Sequence, residues 1–166
     1  MIELAPLSDV DPETIEALLD RAFGADRRTR TAYRVRGTAA PLAGLSLVAR
    51  EDGGLFGSIQ CWPVRFVADA GAVTEMAMVG PVAVAPERQR DGVGRRLMEA
   101  TLAAAAASGA DRALMLIGDP EYYARFFGFT AERTGLWRLP GPVERHRLLA
   151  RGVDVPAGAG RLGPIA

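Results

Sequence analysis

PVAVAPERQRDGVGRRL, residues 81–97, is the stretch on which the reading of this chain turns. Val82, Ala83 and Val84 predict an apolar strand that ends in a turn at Pro86. Gln89, Arg90, Asp91, Gly92, Val93 and Gly94 then lead into a helix. Two glycines one residue apart let backbone approach a ligand closely. The first N–H groups of a helix lack intrahelical partners and carry partial positive charge. Together these features make an anion site suited to a pyrophosphate. A Walker-type loop needs a lysine, and all 20 basic residues here are arginine. A dinucleotide fingerprint needs a third glycine three residues after Gly94, where this chain has Leu97.

Working outward, β-like runs at 45–50 and 55–66 flank Asp52-Gly53-Gly54, a hairpin signal. Asp69-Ala70-Gly71 predicts a second turn before a strand over 76–84. Pro81 lies inside that strand and removes a ladder donor, so it is expected to mark a bulge. A helix over 92–108 has one ridge of Val93, Leu97, Thr101 and Ala105 and a neighbouring ridge of Gly94, Met98, Leu102 and Ala106. Gly109 stops it. The strand expected at 113–117 follows this crossover helix and should run parallel to 76–84.

Toward the N-terminus, a strand is expected at 2–6 and a helix at 12–23. Ser8 or Asp9 would cap that helix, and Ile15, Leu18, Leu19 and Ala22 share one face. The arginine-rich segment 26–37 predicts a short helix and a loop, either a solvated face or a wall of a cleft. Toward the C-terminus, Asp119-Pro120 opens a helix to Phe127, with Asp119 as its N-cap. Strands are expected at 129–139 and 146–151. The Gly- and Pro-rich tail 156–166 is expected to pack irregularly or fray. This order describes an α+β fold around one mixed, mostly antiparallel sheet of six or seven strands with about four helices.

A chain of 166 residues, 49% hydrophobic and 24% charged, is read as one domain over 1–155 followed by the tail. Its 20 basic residues balance 20 acidic ones, which gives no reason to expect nucleic acid or a membrane as partner. Residues 1–13 lack a basic segment followed by an apolar one, so a cytoplasmic protein is expected. Cys61 lies in an apolar run and reads as a buried, inert thiol. One His and one Cys cannot supply the usual ligands of a metal site, so none is expected.

The strand, proline, Gln-x-x-Gly-x-Gly turn and helix, in that order, resemble the coenzyme A pyrophosphate loop of the GNAT superfamily of N-acetyltransferases. The bacterial members it resembles carry a G-D-P-x-Y-Y-x-R-F-like segment, matched here by residues 118–126. The element order is also that of the GNAT fold, over roughly 2–151. The resemblance implies an enzyme that moves an acetyl group from acetyl-CoA to a primary amine, of a small molecule or a protein, in a ternary complex. A homodimer is suggested only by the resemblance. The alternative reading is a module that binds acyl-CoA without chemistry.

Residue by residue, the resemblance assigns the pyrophosphate grip to Gln89, Arg90, Asp91, Gly92, Val93 and Gly94, with Arg95 behind them. Val82, Ala83 and Val84 would line the pantetheine arm, and the Val82 N–H would hold the thioester carbonyl. Tyr123 is the favoured general acid for the leaving thiolate, with Tyr122 as the alternative. The family tyrosine usually stands four residues before the glycine, where this chain has Ala124. The doubled phenylalanine at 126–127 would have to be absorbed as the helix ends. The base is open: Met78 occupies the place where some relatives carry glutamate, Glu75 has the wrong alternation, and His146 lies in an arginine-flanked turn. A water relayed to backbone carbonyls is the remaining option.

Overall fold

The computed structural model describes residues 1–166. Its helices are α1 (Pro12–Phe23), α2 (Thr31–Arg36), α3 (Val93–Ser108) and α4 (Pro120–Phe127). Its strands are β1 (Glu3–Pro6), β2 (Leu47–Glu51), β3 (Gly54–Ala68), β4 (Val73–Val84), β5 (Leu114–Ile117), β6 (Trp137–Arg138), β7 (Leu148–Arg151) and β8 (Gly160–Pro164). The sheet has eight strands in the order β1-β2-β3-β4-β5-β7, with β8 paired to both β3 and β6. The chain forms two compact units: residues 1–29, 41–61 and 80–107, and residues 30–40, 62–79 and 108–166.

In the first unit, β1 runs antiparallel to β2, and β2 forms the expected hairpin with β3. Asp52 and Gly53 both adopt positive φ, 50° and 79°, the turn chemistry that a two-residue hairpin requires. The apolar stripe of α1, Ile15, Leu18 and Leu19, packs against Ala83 and Ala85 at the end of β4. Burying each of these large side chains contributes roughly 1.5–3 kcal/mol. The cap of α1 is Asp11, whose carboxylate accepts from the Glu13 N–H at 3.0 Å. Ser8 and Asp9 belong instead to a preceding 3-10 turn, because Pro12 at the first helical position sets the start directly after Asp11.

Cys61 is fully buried, its N–H donating to the Ser46 hydroxyl at 3.0 Å. Burial pushes its thiol up to about 12, so it remains protonated at neutral pH. Native protein is expected to resist iodoacetamide at pH 8 and to be alkylated at one site once unfolded, measured by intact mass. Rapid native alkylation would overturn this reading.

In the second unit, β4 and β5 pair in parallel, Ala77 with Leu114 and Met78 with Met115, as a right-handed crossover demands. β5 continues antiparallel to β7. The core gathers Val35, Trp62, Val64, Phe66, Met76, Met78, Met115, Trp137, Leu148 and Leu162. Trp137 lies 5.0 Å from Phe66, ring centre to ring centre, and its indole N–H donates to the Pro156 carbonyl at 3.2 Å.

Three expectations fail at the C-terminal end. No continuous strand fills 129–139: Thr130 bridges Ala150, the chain bends, and only Trp137–Arg138 is extended in a ladder. The buried Thr134 hydroxyl donates to the Leu148 carbonyl at 2.7 Å, which holds the bend inward. The strand expected at 146–151 begins at Leu148, since 145–147 form a 3-10 turn. The tail does not fray: 160–164 form β8, antiparallel to β3 and parallel to β6, with Leu162 in the core.

At Pro81, where a bulge is expected, the Gly80–Pro81 peptide is cis, with Gly80 at φ 121°. Only glycine takes that conformation readily.

Candidate active site

The first group of site residues lies in one unit, where β4 ends and α3 begins. Val82 and Val84 share one side of the strand. A Cβ on Gly94 would stand 3.4 Å from Val84 Cγ2 and 3.7 Å from Val82 Cγ1. Ala83 points the other way, into the cluster with α1, and is fully buried. The alternation of a strand thus sends Ala83 to the core and leaves Val82 and Val84 against the first turn of the helix.

Between these elements the chain makes a 3-10 turn at 86–88 and reaches α3 through Gln89–Gly92. Gly92 has φ 74°, which turns the chain into the helix. The first intrahelical bond runs from Arg96 N–H to the Gly92 carbonyl at 3.1 Å, so the amides of Val93 and Gly94 precede the hydrogen-bonded ladder. Gln89, Arg90, Asp91 and Gly92 are exposed, while Val93 is buried and anchors the turn.

Two side chains with expected ligand contacts are already engaged. The Asp91 carboxylate accepts from Arg88 Nε, and Arg95 Nε donates to Glu99 at 3.0 Å, one helical turn on. Asp91 therefore shapes the turn, with its charge met by Arg88. Arg88 also reaches Glu51 at 3.2 Å and lies 4.7 Å from the centre of the Phe56 ring. It ties the turn to the β2–β3 hairpin. Sequence reasoning missed it because its partners lie 37 and 32 residues away.

Gly57 of β3 was also missed. A Cβ there would stand 2.7 Å from Val93 Cγ1, 3.1 Å from Leu97 Cδ1 and 3.3 Å from the Ala83 carbonyl oxygen. The absence of a side chain at this residue lets the start of α3 sit directly on the strand.

The second group lies on α4, in the other unit. Asp119 caps the helix, accepting from the Glu121 N–H at 3.0 Å, and Gly128 ends it in the left-handed conformation at φ 71°. The Phe129 N–H reaches back six residues to the Tyr123 carbonyl, 3.3 Å away. The usual glycine-terminated helix end spans five.

Tyr123 is mostly buried, its ring lying on Gly118. A Cβ at Gly118 would come within 2.6 Å of Tyr123 Cε2 and 2.9 Å of Cδ2. Burial, with a smaller contribution from Tyr122, pushes the phenol up to about 12. Tyr122 sits edge-on to Tyr123 at 5.0 Å and packs with Phe126 and Phe127, both 5.5 Å away.

Met78 is buried in the core, and exposed Glu75 accepts from Arg65 at 3.2 Å. His146 is exposed in its 3-10 turn, 3.5 Å from Glu144. No group of three or more His, Cys, Asp or Glu residues is arranged to hold a metal ion.

The family model described as an acetyltransferase (GNAT) domain matches residues 3–131, and the chain belongs to that family. A GNAT family acetyltransferase from Brucella melitensis, solved in complex with acetyl-CoA, is 26% identical with a TM-score of 0.68, covering 100% of this chain and 97% of that one. YhbS of Escherichia coli, a GNAT family N-acetyltransferase solved with CoA, shares the fold at 24% identity and TM-score 0.70, covering 97% of this chain and 88% of its own. A GCN5-related N-acetyltransferase from Kribbella flavida is 20% identical with a TM-score of 0.57, over 78% of this chain and 34% of its own. No curated protein is significantly similar in sequence. No helix is long and apolar enough to cross a membrane.

Proposed function

We propose that this protein transfers an acetyl group from acetyl-CoA to a primary amine by direct attack in a ternary complex. The observation that carries the reading is the turn 89–94, which opens α3 with amides that precede the helix ladder. The acetyl-CoA complex of the Brucella melitensis relative supports it.

In this reading the amides of Val93 and Gly94, with the field of the helix terminus, hold the pyrophosphate. Exposed Arg90 adds charge at the mouth of the turn. The backbone of Val82 and Val84 pairs with the pantetheine arm as a further strand would. The Val82 N–H faces the thioester oxygen; one such donor aimed at developing negative charge is worth about 3 kcal/mol. The neutral amine attacks the carbonyl carbon and the carbon–sulfur bond breaks. The thiolate leaves as the Tyr123 hydroxyl donates a hydrogen bond to it. The ammonium proton passes to water.

Calorimetry with acetyl-CoA tests the grip. Gly94→Asp places a carboxylate in the first turn of α3, where it favours the helix but repels a pyrophosphate. The added Cβ meets only ordinary contacts. The wild-type chain is expected to bind, and the variant to bind at least about tenfold more weakly with an unchanged melting temperature. Equal affinity would remove the turn from the site. Tight binding with no CoA release on a broad amine panel would favour a sensor over an enzyme.

A further inference from the structure

The outward face of β3, β6 and β8 carries three arginines around one cavity. The registers place them there. Leu162 of β8 pairs with Phe66 of β3, and Gly160 pairs with Trp137 of β6. Phe66, Trp137 and Leu162 all point into the core. The alternate residues therefore face the other way: Arg161 and Gly163 on β8, Arg65 and Val67 on β3, and Arg138 on β6. Arg138, Arg161 and Val67 form one row across the three strands, and Gly163 with Arg65 forms the next. These residues, with Leu139 and Pro140, line a cavity of about 300 Å³.

The charges in this cavity are only partly met. Arg138 binds Asp69 through two nitrogens, at 2.7 and 3.0 Å. Arg65 makes one contact with Glu75 at 3.2 Å, and its buried Nε has no partner. Arg161 is exposed and forms no ion pair; the charge it feels is that of nearby Asp69. Three guanidiniums thus face two carboxylates. A Cβ on Gly163 would meet nothing within 4 Å, so the space beside Arg161 and Arg65 is open.

We propose that this cavity binds a small organic anion: a carboxylate or phosphate held by Arg161 and Arg65, with a compact apolar body against Val67, Leu139 and Pro140. The planar guanidinium fork suits either acid. The apolar wall selects against a bare inorganic ion. None of these residues belongs to the proposed thioester machinery.

Titration of the whole chain with phenyl phosphate, benzoate and inorganic phosphate, followed by calorimetry and amide NMR shifts, tests the assignment. One of the two aromatic anions is expected to bind at least about tenfold more tightly than inorganic phosphate, and which one wins identifies the acid. Arg161→Gln should weaken that binding at least about tenfold. Gly163→Val places a strand-favouring side chain in the open space and should abolish it. Both variants should keep the wild-type melting temperature and affinity for acetyl-CoA. The assignment is overturned if neither aromatic anion saturates below about 10 mM, if inorganic phosphate binds equally well, or if both variants bind as wild type does.

Discussion

Tyr123→Phe is expected to lower kcat about 100-fold while leaving the Kd for acetyl-CoA unchanged. The sign follows from the state of the phenol. Its pKa is raised to about 12, so the hydroxyl is protonated throughout the range in which an acetyltransferase would be assayed. An ordinary thiol titrates near 8.5, and each pH unit is 1.36 kcal/mol, so full proton transfer to the thiolate would be uphill by roughly 5 kcal/mol. In the proposed mechanism the hydroxyl therefore acts by hydrogen-bonding the departing sulfur, a role worth about two to three orders of magnitude. The profile of kcat between pH 6 and 10 should show no limb from tyrosine ionisation; any rise with pH belongs to deprotonation of the amine.

Gly118→Ala is the companion measurement. Its methyl would fall 2.6 Å from the Tyr123 ring, so the ring must move. A fall of about tenfold in kcat is expected, with no further loss when Tyr123 is already phenylalanine. If Tyr123→Phe keeps more than half the wild-type kcat, the tyrosine has no part in the chemistry.

Gly57→Val should destabilise the fold by about 2–3 kcal/mol, since overpacking a close contact costs 1–3 kcal/mol and here three neighbours are crowded at once. Crowding Val93 and Leu97 is expected to lift the start of α3, and the Ala83 carbonyl is backbone. For a chain of this length the melting temperature should fall by roughly 5–10 °C. The same displacement moves the amides of Val93 and Gly94, so affinity for acetyl-CoA should fall as well. Gly44→Ala, where a Cβ meets nothing within 4 Å, serves as the control and should be neutral. A Gly57→Val protein that melts within 1 °C of wild type would show that the helix does not depend on this close approach.

Features governed by neighbours in the chain were legible in advance. The hairpin at Asp52-Gly53, the stop of α3 at Gly109, the Asp119 cap and the parallel pairing of β4 with β5 follow from turn chemistry, periodicity and the handedness of crossovers. Within the candidate site, the turn at 89–94 leads into α3 where the residues indicated. The arginine-rich segment 26–37 holds a buried residue that neither a solvated face nor a cleft wall predicts. Arg27 is almost wholly buried, held by Asp20 at 2.9 Å and by Glu16. Both carboxylates stand on α1, one turn apart, and nothing local to Arg27 announces them.

Local residue choice specifies the strand-turn-helix that opens α3, because glycine conformations, proline and an alternating apolar run act over a few residues. That the Gly- and Pro-rich tail adds an eighth strand depends on partners distant in the chain. The pattern Gly160-Arg-Leu-Gly-Pro164 has little strand preference of its own, and it is extended because β3 and β6 supply ladder partners and a buried place for Leu162. The same holds for Gly57 and Gly118. A glycine's own neighbours do not reveal that a helix or a tyrosine ring will occupy the space where its Cβ would stand, since that space is filled by whatever the fold brings against it.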